Sequence, residues 1–151
     1  MVEVAILDDA RHLFGETFQE LPNFENQLLS VFKKYKESNG EFVPNIFGRD
    51  VPYRYPIKLY KLDVSHIHLR LPPDQFSKNI VQIERRNKKE EPNKDIFLVY
   101  VKSQFSQDKY ALLAILRPNA HEQSKQAKIL DLFCEYAEKY QNKEYELNYG
   151  N

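Results

Sequence analysis

Leu62-Asp-Val-Ser-His-Ile-His-Leu-Arg-Leu71 alternates polar and apolar side chains over its last six positions. Successive side chains on a strand point to opposite faces. If this stretch is extended, Ile67, Leu69 and Leu71 share one face, and His66, His68 and Arg70 share the other. Neighbours in that row then stand about 7 Å apart, at a rise of ~3.4 Å per residue. The apolar face predicts a sheet buried on one side. The other face carries two imidazoles and a guanidinium.

Working outward, Ile57 to Leu71 reads as a central strand region closed by Pro72-Pro73. Asp95 to Lys102 is rich in β-branched and aromatic residues and predicts a buried strand. Tyr110 to Arg117 predicts another, stopped by Pro118, with a polar hairpin loop between the two. Toward the N-terminus, Val2 to Leu7 reads as a short first strand, and Asp8 to Glu20 fits helical and extended readings alike. Phe24, Leu28, Val31, Phe32 and Tyr35 recur at spacings of three and four, which predicts an amphipathic helix entered at Pro22-Asn23 and ending near Ser38-Asn39-Gly40. Glu41 to Pro56 holds three prolines and a glycine, so it reads as irregular loop. The polar run Glu84 to Glu91 reads as a solvated turn or strand end, with Arg85 and Arg86 available to phosphate. From Ala120 to Tyr140 a stripe of Ala127, Leu130, Phe133, Cys134, Ala137 and Tyr140 predicts a long C-terminal helix. The expected architecture is α+β: a small antiparallel sheet, helices packed on one face, and a C-terminal helix. Residues 1–141 form the expected single domain, and 142–151 read as a weakly ordered tail.

The chain of 151 residues carries 22 basic and 22 acidic side chains, unevenly placed. Residues 1–30 hold one basic and six acidic, 31–120 hold 17 and 10, and 121–151 hold four and six. A basic middle between acidic ends suits a polyanion-binding surface, nucleic acid included, beside the simpler reading of a solvated Lys/Glu surface. No apolar run approaches the ~20 residues of a membrane span, and no signal pattern opens the chain, so no membrane partner is expected and the cytoplasm is the expected location. One cysteine, Cys134, excludes an internal disulfide framework and a thiolate zinc cluster. The sequence has no phosphate-cradling glycine loop and no Gly-x-Ser-x-Gly elbow. No cofactor is expected.

Four blocks, Ile46-Phe-Gly-Arg-Asp50, His66-Ile-His-Leu69, Phe97-Leu-Val-Tyr100 and Leu113-Ala-Ile-Leu-Arg-Pro-Asn-Ala-His-Glu122, occur in an order and spacing that resemble the YafO family of bacterial type II toxin–antitoxin toxins. That family lies within the RelE-like group of ribosome-dependent endoribonucleases. The resemblance covers roughly residues 21–141 and fades over the first twenty. It implies a RelE-like fold, metal-free cleavage of mRNA on the translating ribosome, and a cognate antitoxin. Lys125 stands where arginine is more typical after the Ala-His pair, which keeps the charge but not the bidentate fork.

Metal-free RNA cleavage needs a base for the 2′-hydroxyl, an acid for the leaving 5′-oxygen, and positive charge for the phosphate. Histidine titrates near neutrality and serves either proton step, and a guanidinium fork matches phosphate oxygens. The expected catalytic residues are therefore His66, His68 and His121. His121 also reads as a cap of the terminal helix. Arg49, Arg70, Arg117 and Lys125 are the expected RNA- and phosphate-binding residues, Arg117 having a second reading as a stem lying along apolar surface. Asp50 is expected to orient Arg49, and Gly48 to supply a turn. Tyr100 reads as core, with base stacking as its functional alternative. Two rival classes remain: a non-catalytic RelE-like scaffold that only binds ribosome or antitoxin, and a metal-dependent nuclease in which the two strand histidines chelate.

Overall fold

The computed structural model describes residues 1–150. Its centre is a five-stranded sheet formed by β1 (Glu3–Ile6), β2 (Phe47–Pro52), β3 (Val64–Leu69), β4 (Phe97–Lys102) and β5 (Lys109–Leu116), in the order β1-β5-β4-β3-β2. The α+β class agrees with the sequence. The sheet is mixed rather than wholly antiparallel, because β1 pairs with β5 in parallel while β2-β3-β4-β5 run antiparallel.

Helices cover both faces, not one. On one face lie α1 (Gly15–Glu20) and α2 (Phe24–Glu37). Phe24, Leu28, Phe32 and Tyr35 of α2 pack on Ile67, Leu69, Leu98 and Leu112 of the sheet. On the other lie α3 (Ile57–Lys61) and α5 (Ala127–Tyr149), preceded by the short α4 (Ala120–Gln123). There Leu130, Phe133, Cys134 and Ala137 of α5 pack with Leu59, Val99, Val101 and Leu113. The near-continuous apolar runs of β4 and β5 are the sequence signature of strands buried on both sides. Each fully buried Phe or Leu contributes about 1.5–3 kcal/mol.

Three local readings change. The stretch 41–56 is not all loop, since β2 runs along the sheet edge, where its terminal Pro52 breaks no ladder that matters. Residues 57–61 are helical rather than extended. Leu59 is thereby buried beneath α5, and Asp63 at φ 60° turns the chain into β3. Finally, α5 continues through Tyr149, so the segment expected to be a weak tail is helical from 142 to 149, Gly150 being extended and residue 151 lying outside the described residues. Gln141 and Glu144 anchor that extension. Gln141 donates to the carbonyls of Leu62 and Lys102, and the Glu144 carboxylate receives Ser103 Oγ and Lys109 Nζ at 2.8 and 2.7 Å. No helix among the described residues is long and apolar enough to cross a membrane.

Candidate active site

Strand alternation puts Val64, His66 and His68 on the α5 face, while Ile67 and Leu69 join the α2-side core. In the β3-β4 register His66 lies opposite Val99 and His68 opposite Phe97. The two imidazoles sit 6.2 Å apart between ring centroids, 25° from parallel. Phe97 touches both, at 4.6 and 4.8 Å, and Tyr53 closes the far side of His66 at 4.5 Å.

After β5 ends at Leu116 the chain reverses through Asn119, whose φ of 56° is a left-handed conformation that asparagine tolerates. The reversal brings in His121, whose ring is 5.5 Å from His68 and 5.0 Å from Phe97. The three expected catalytic histidines therefore form one cluster around Phe97.

Each ring is fixed differently. Asp95, only 2% exposed, receives the His121 backbone N–H at 3.0 Å and faces its Nδ1 at 2.8 and 2.9 Å. In the neutral ring that contact places the proton on Nδ1 and makes Nε2 the lone-pair nitrogen. His68 is reversed: its Nδ1 accepts the backbone N–H of Asn87 at 2.8 Å, so a neutral His68 carries its proton on Nε2. His66 Nδ1 is buried without a protein partner among the described residues. Burial lowers His66 to about 4, Asp50 opposing and His121 and Arg49 adding to the shift. Burial likewise lowers His68 to about 3, reinforced by His66, His121, Arg49 and Arg70. Both rings are neutral at pH 7.

Arg49 and Asp50 are successive residues of β2 and so point to opposite faces of the sheet, the bulge between Phe47 and Asp50 setting which face each takes. Arg49 exerts its charge on His66 and His68, and its Nε is buried and unpaired among the described residues. Asp50 does not orient it. The Asp50 carboxylate instead accepts Tyr35 Oη at 2.6 Å and Tyr100 Oη at 2.8 Å within the α2-side core. Arg70 lies beyond the last residue of β3, donates to the Lys94 carbonyl at 3.0 Å and stacks 4.5 Å from the Phe76 ring. Its charge reaches His68. Arg117 pairs with Glu16 and Glu20 of α1 and makes no contact with the histidines. Lys125 is exposed, 3.7 Å from Glu122, beside the Ser124 hydroxyl that bonds Tyr53.

Several functional neighbours were invisible in the sequence. Asp95 read only as the start of a strand, although a carboxylate directly before a buried run asks for a partner. Asn87 and Arg85 fell within a run read as solvated, yet both are buried. Arg85 donates to the carbonyls of Ile80, Pro44 and Phe47, so it is not open to phosphate. Gly48 makes no turn. It lies in β2, where a Cβ would strike the Arg85 carbonyl oxygen and come within 2.8 Å of Phe76. The missing side chain lets the 76–87 segment pack close enough for Asn87 to reach His68. No three His, Cys, Asp or Glu side chains among the described residues are grouped to hold a metal ion.

The sequence profile of the family described as Toxin YafO, type II toxin–antitoxin system, matches residues 33–142, a span that includes the whole histidine cluster, Arg49 and Asp95. The chain belongs to the YafO toxin family. As a toxin of the type II class it has a protein antitoxin for partner. Among YafO relatives, the mRNA interferase toxin YafO of Escherichia coli (strain K12) is 33% identical over 98 residues, which cover 63% of this chain and 68% of the relative. No solved structure matches the chain.

Proposed function

We propose that this YafO toxin is an endoribonuclease that cuts mRNA on the translating ribosome, without a metal, at the cluster of His66, His68 and His121. The observation that carries the reading is the Asp95-held His121 beside two further imidazoles and the Arg49 charge. The name of the Escherichia coli relative supports mRNA as substrate.

In this reading His121 Nε2 takes the proton of the 2′-hydroxyl, and the 2′-oxygen attacks phosphorus. The bond to the 5′-oxygen breaks, and the electron pair leaves with that oxygen. His68 donates its Nε2–H to a phosphate oxygen, and Arg49 and Arg70 balance the growing charge. The phosphate's own charge raises the proton affinity of His66 from its low resting value. His66 takes a proton from solvent as the phosphate binds and then delivers it to the 5′-oxygen, while His121 later returns the 2′-hydroxyl proton to solvent. The products are a 2′,3′-cyclic phosphate and a 5′-hydroxyl. Each positioned acid or base supplies about 10²–10⁴-fold.

The test is to map mRNA ends during expression of the toxin and of the His66→Ala/His68→Ala and His121→Ala variants. New ends in the parent, absent from folded variants, support the assignment. Intact messages alongside halted translation identify a non-catalytic binder instead. Fully toxic variants overturn the site.

A further inference from the structure

We propose that the end of the sheet where β3 begins and β4 ends carries a second binding site, for the phosphate and base of a nucleotide. A cavity of about 390 Å³ opens there, and its wall includes Lys36 from the last turn of α2, Lys102 and Tyr100 from β4, Tyr110 from β5, Tyr60 from α3 and Asp63. The volume lies within the ~300–1,000 Å³ typical of small-molecule clefts. Tyr100 and Tyr110 belong to the α2-side core, Tyr60 comes from α3 on the other side, and no histidine lines the cavity.

Charge is the first reason for the assignment. Lys36 Nζ bonds Tyr100 Oη at 2.9 Å and lies 4.6 and 5.3 Å from the Tyr100 and Tyr110 ring centroids. Its nearest acid, Asp50, stands at 3.5 Å and makes shorter bonds to two tyrosine hydroxyls. Lys102 has no ion pair among the described residues; burial lowers the Lys36 ammonium's proton affinity, Asp50 opposes this, and the Lys102 charge adds to the lowering. Two ammoniums thus share one cavity in which the nearby carboxylates are already engaged, Asp50 by two tyrosine hydroxyls and Asp63 by Gln104 Nε2 at 3.0 Å. An anion between them relieves the repulsion, takes the third donor of Lys36 and gives Lys102 a partner.

Shape is the second. Tyr60 is 48% exposed on the same wall and offers a flat face for a base, the arrangement by which proteins hold single nucleotides. Asp63 supplies an acceptor for a ribose hydroxyl. An aliphatic acid would leave the aromatic wall unused, and a neutral ring would leave the ammoniums unmatched. The inference stands apart from the histidine chemistry.

Calorimetric titration of the full-length protein with AMP, inorganic phosphate and adenosine tests it. AMP should bind, with phosphate and adenosine each at least about tenfold weaker, a difference of ~1.4 kcal/mol. Lys102→Ala and Tyr60→Ala, both at exposed positions, should each weaken AMP about tenfold without changing Tm, and His66→Ala/His68→Ala should leave AMP binding intact. A tetraribonucleotide that displaces AMP assigns the site to an RNA strand, and failure to displace it assigns the site to a free nucleotide. Absence of AMP binding, phosphate binding as tightly as AMP, indifference to Lys102→Ala, or loss of AMP binding in the histidine variant would each overturn the proposal.

Discussion

Asp95 decides what His121 can do, because a buried carboxylate at 2.8 Å from Nδ1 fixes both the tautomer and the ring plane. Asp95→Asn keeps an acceptor for the backbone N–H but can turn its amide toward Nδ1 and favour the wrong tautomer. We expect cleavage to fall about 10²-fold or more with little loss of fold, and the rate–pH profile to move with it. His66 and His68 predict a stability change of definite sign. Their folded values, about 4 and about 3, lie below the unfolded value of ~6.5. Between those limits the unfolded chain binds more protons. Stability is therefore full above pH ~6.5 and falls on acidification, by up to about 1.4 kcal/mol per pH unit for each ring. Thermal unfolding between pH 7 and pH 4 should show this, and His68→Gln should flatten the slope. A Tm unchanged down to pH 4 would mean the rings are not desolvated as described.

Among the elements, β2 and the end of α5 are where local pattern and tertiary structure disagree most. Prolines and a glycine read as loop because they are poor strand formers, yet an edge strand tolerates proline, and Gly48 is needed where the 76–87 segment crosses it. Gly48→Ala should cost about 2–3 kcal/mol in urea unfolding, since the obstructing atom is backbone oxygen and cannot rotate away. A neutral effect would mean that segment is displaced easily. The helix beyond Gln141 lacks an apolar stripe in the sequence because polar bonds hold it. Burial pushes the Glu144 carboxyl up, but bonds from Lys109, Ser106 and Ser103 outweigh it and hold the carboxyl below its ordinary value. Glu144→Ala should destabilise by about 2 kcal/mol, less than a fully buried pair because Lys109 can rehydrate.

For the whole molecule, the sheet acts as a partition. One face holds the histidines and Phe97 under α5, the other the Asp50–Lys36–tyrosine network under α2. The basic middle of the chain contributes to both. Binding to single-stranded RNA should weaken with salt at a log–log slope near −0.7 per neutralised phosphate, and filter-binding at several salt concentrations measures it. A flat response would remove the basic region as the RNA surface. Cleavage on the ribosome should continue when a chelator that spares ribosomal magnesium removes transition metals, and loss of activity would restore the metal-dependent reading.

The sequence by itself determined the alternation that sets His66 and His68 on one face, the apolar periods of α2 and α5, and the two buried strands β4 and β5. These follow from regularities of two or 3.6 residues within a single segment. Only the tertiary structure decided that Asp95 stands behind His121, that Asn87 fixes His68, that Asp50 meets Tyr35 and Tyr100, and that helices cover both faces. Those contacts join residues far apart in the chain through bulges, left-handed turns and close backbone approach, and no local period encodes which distant carboxylate or amide will meet a given ring.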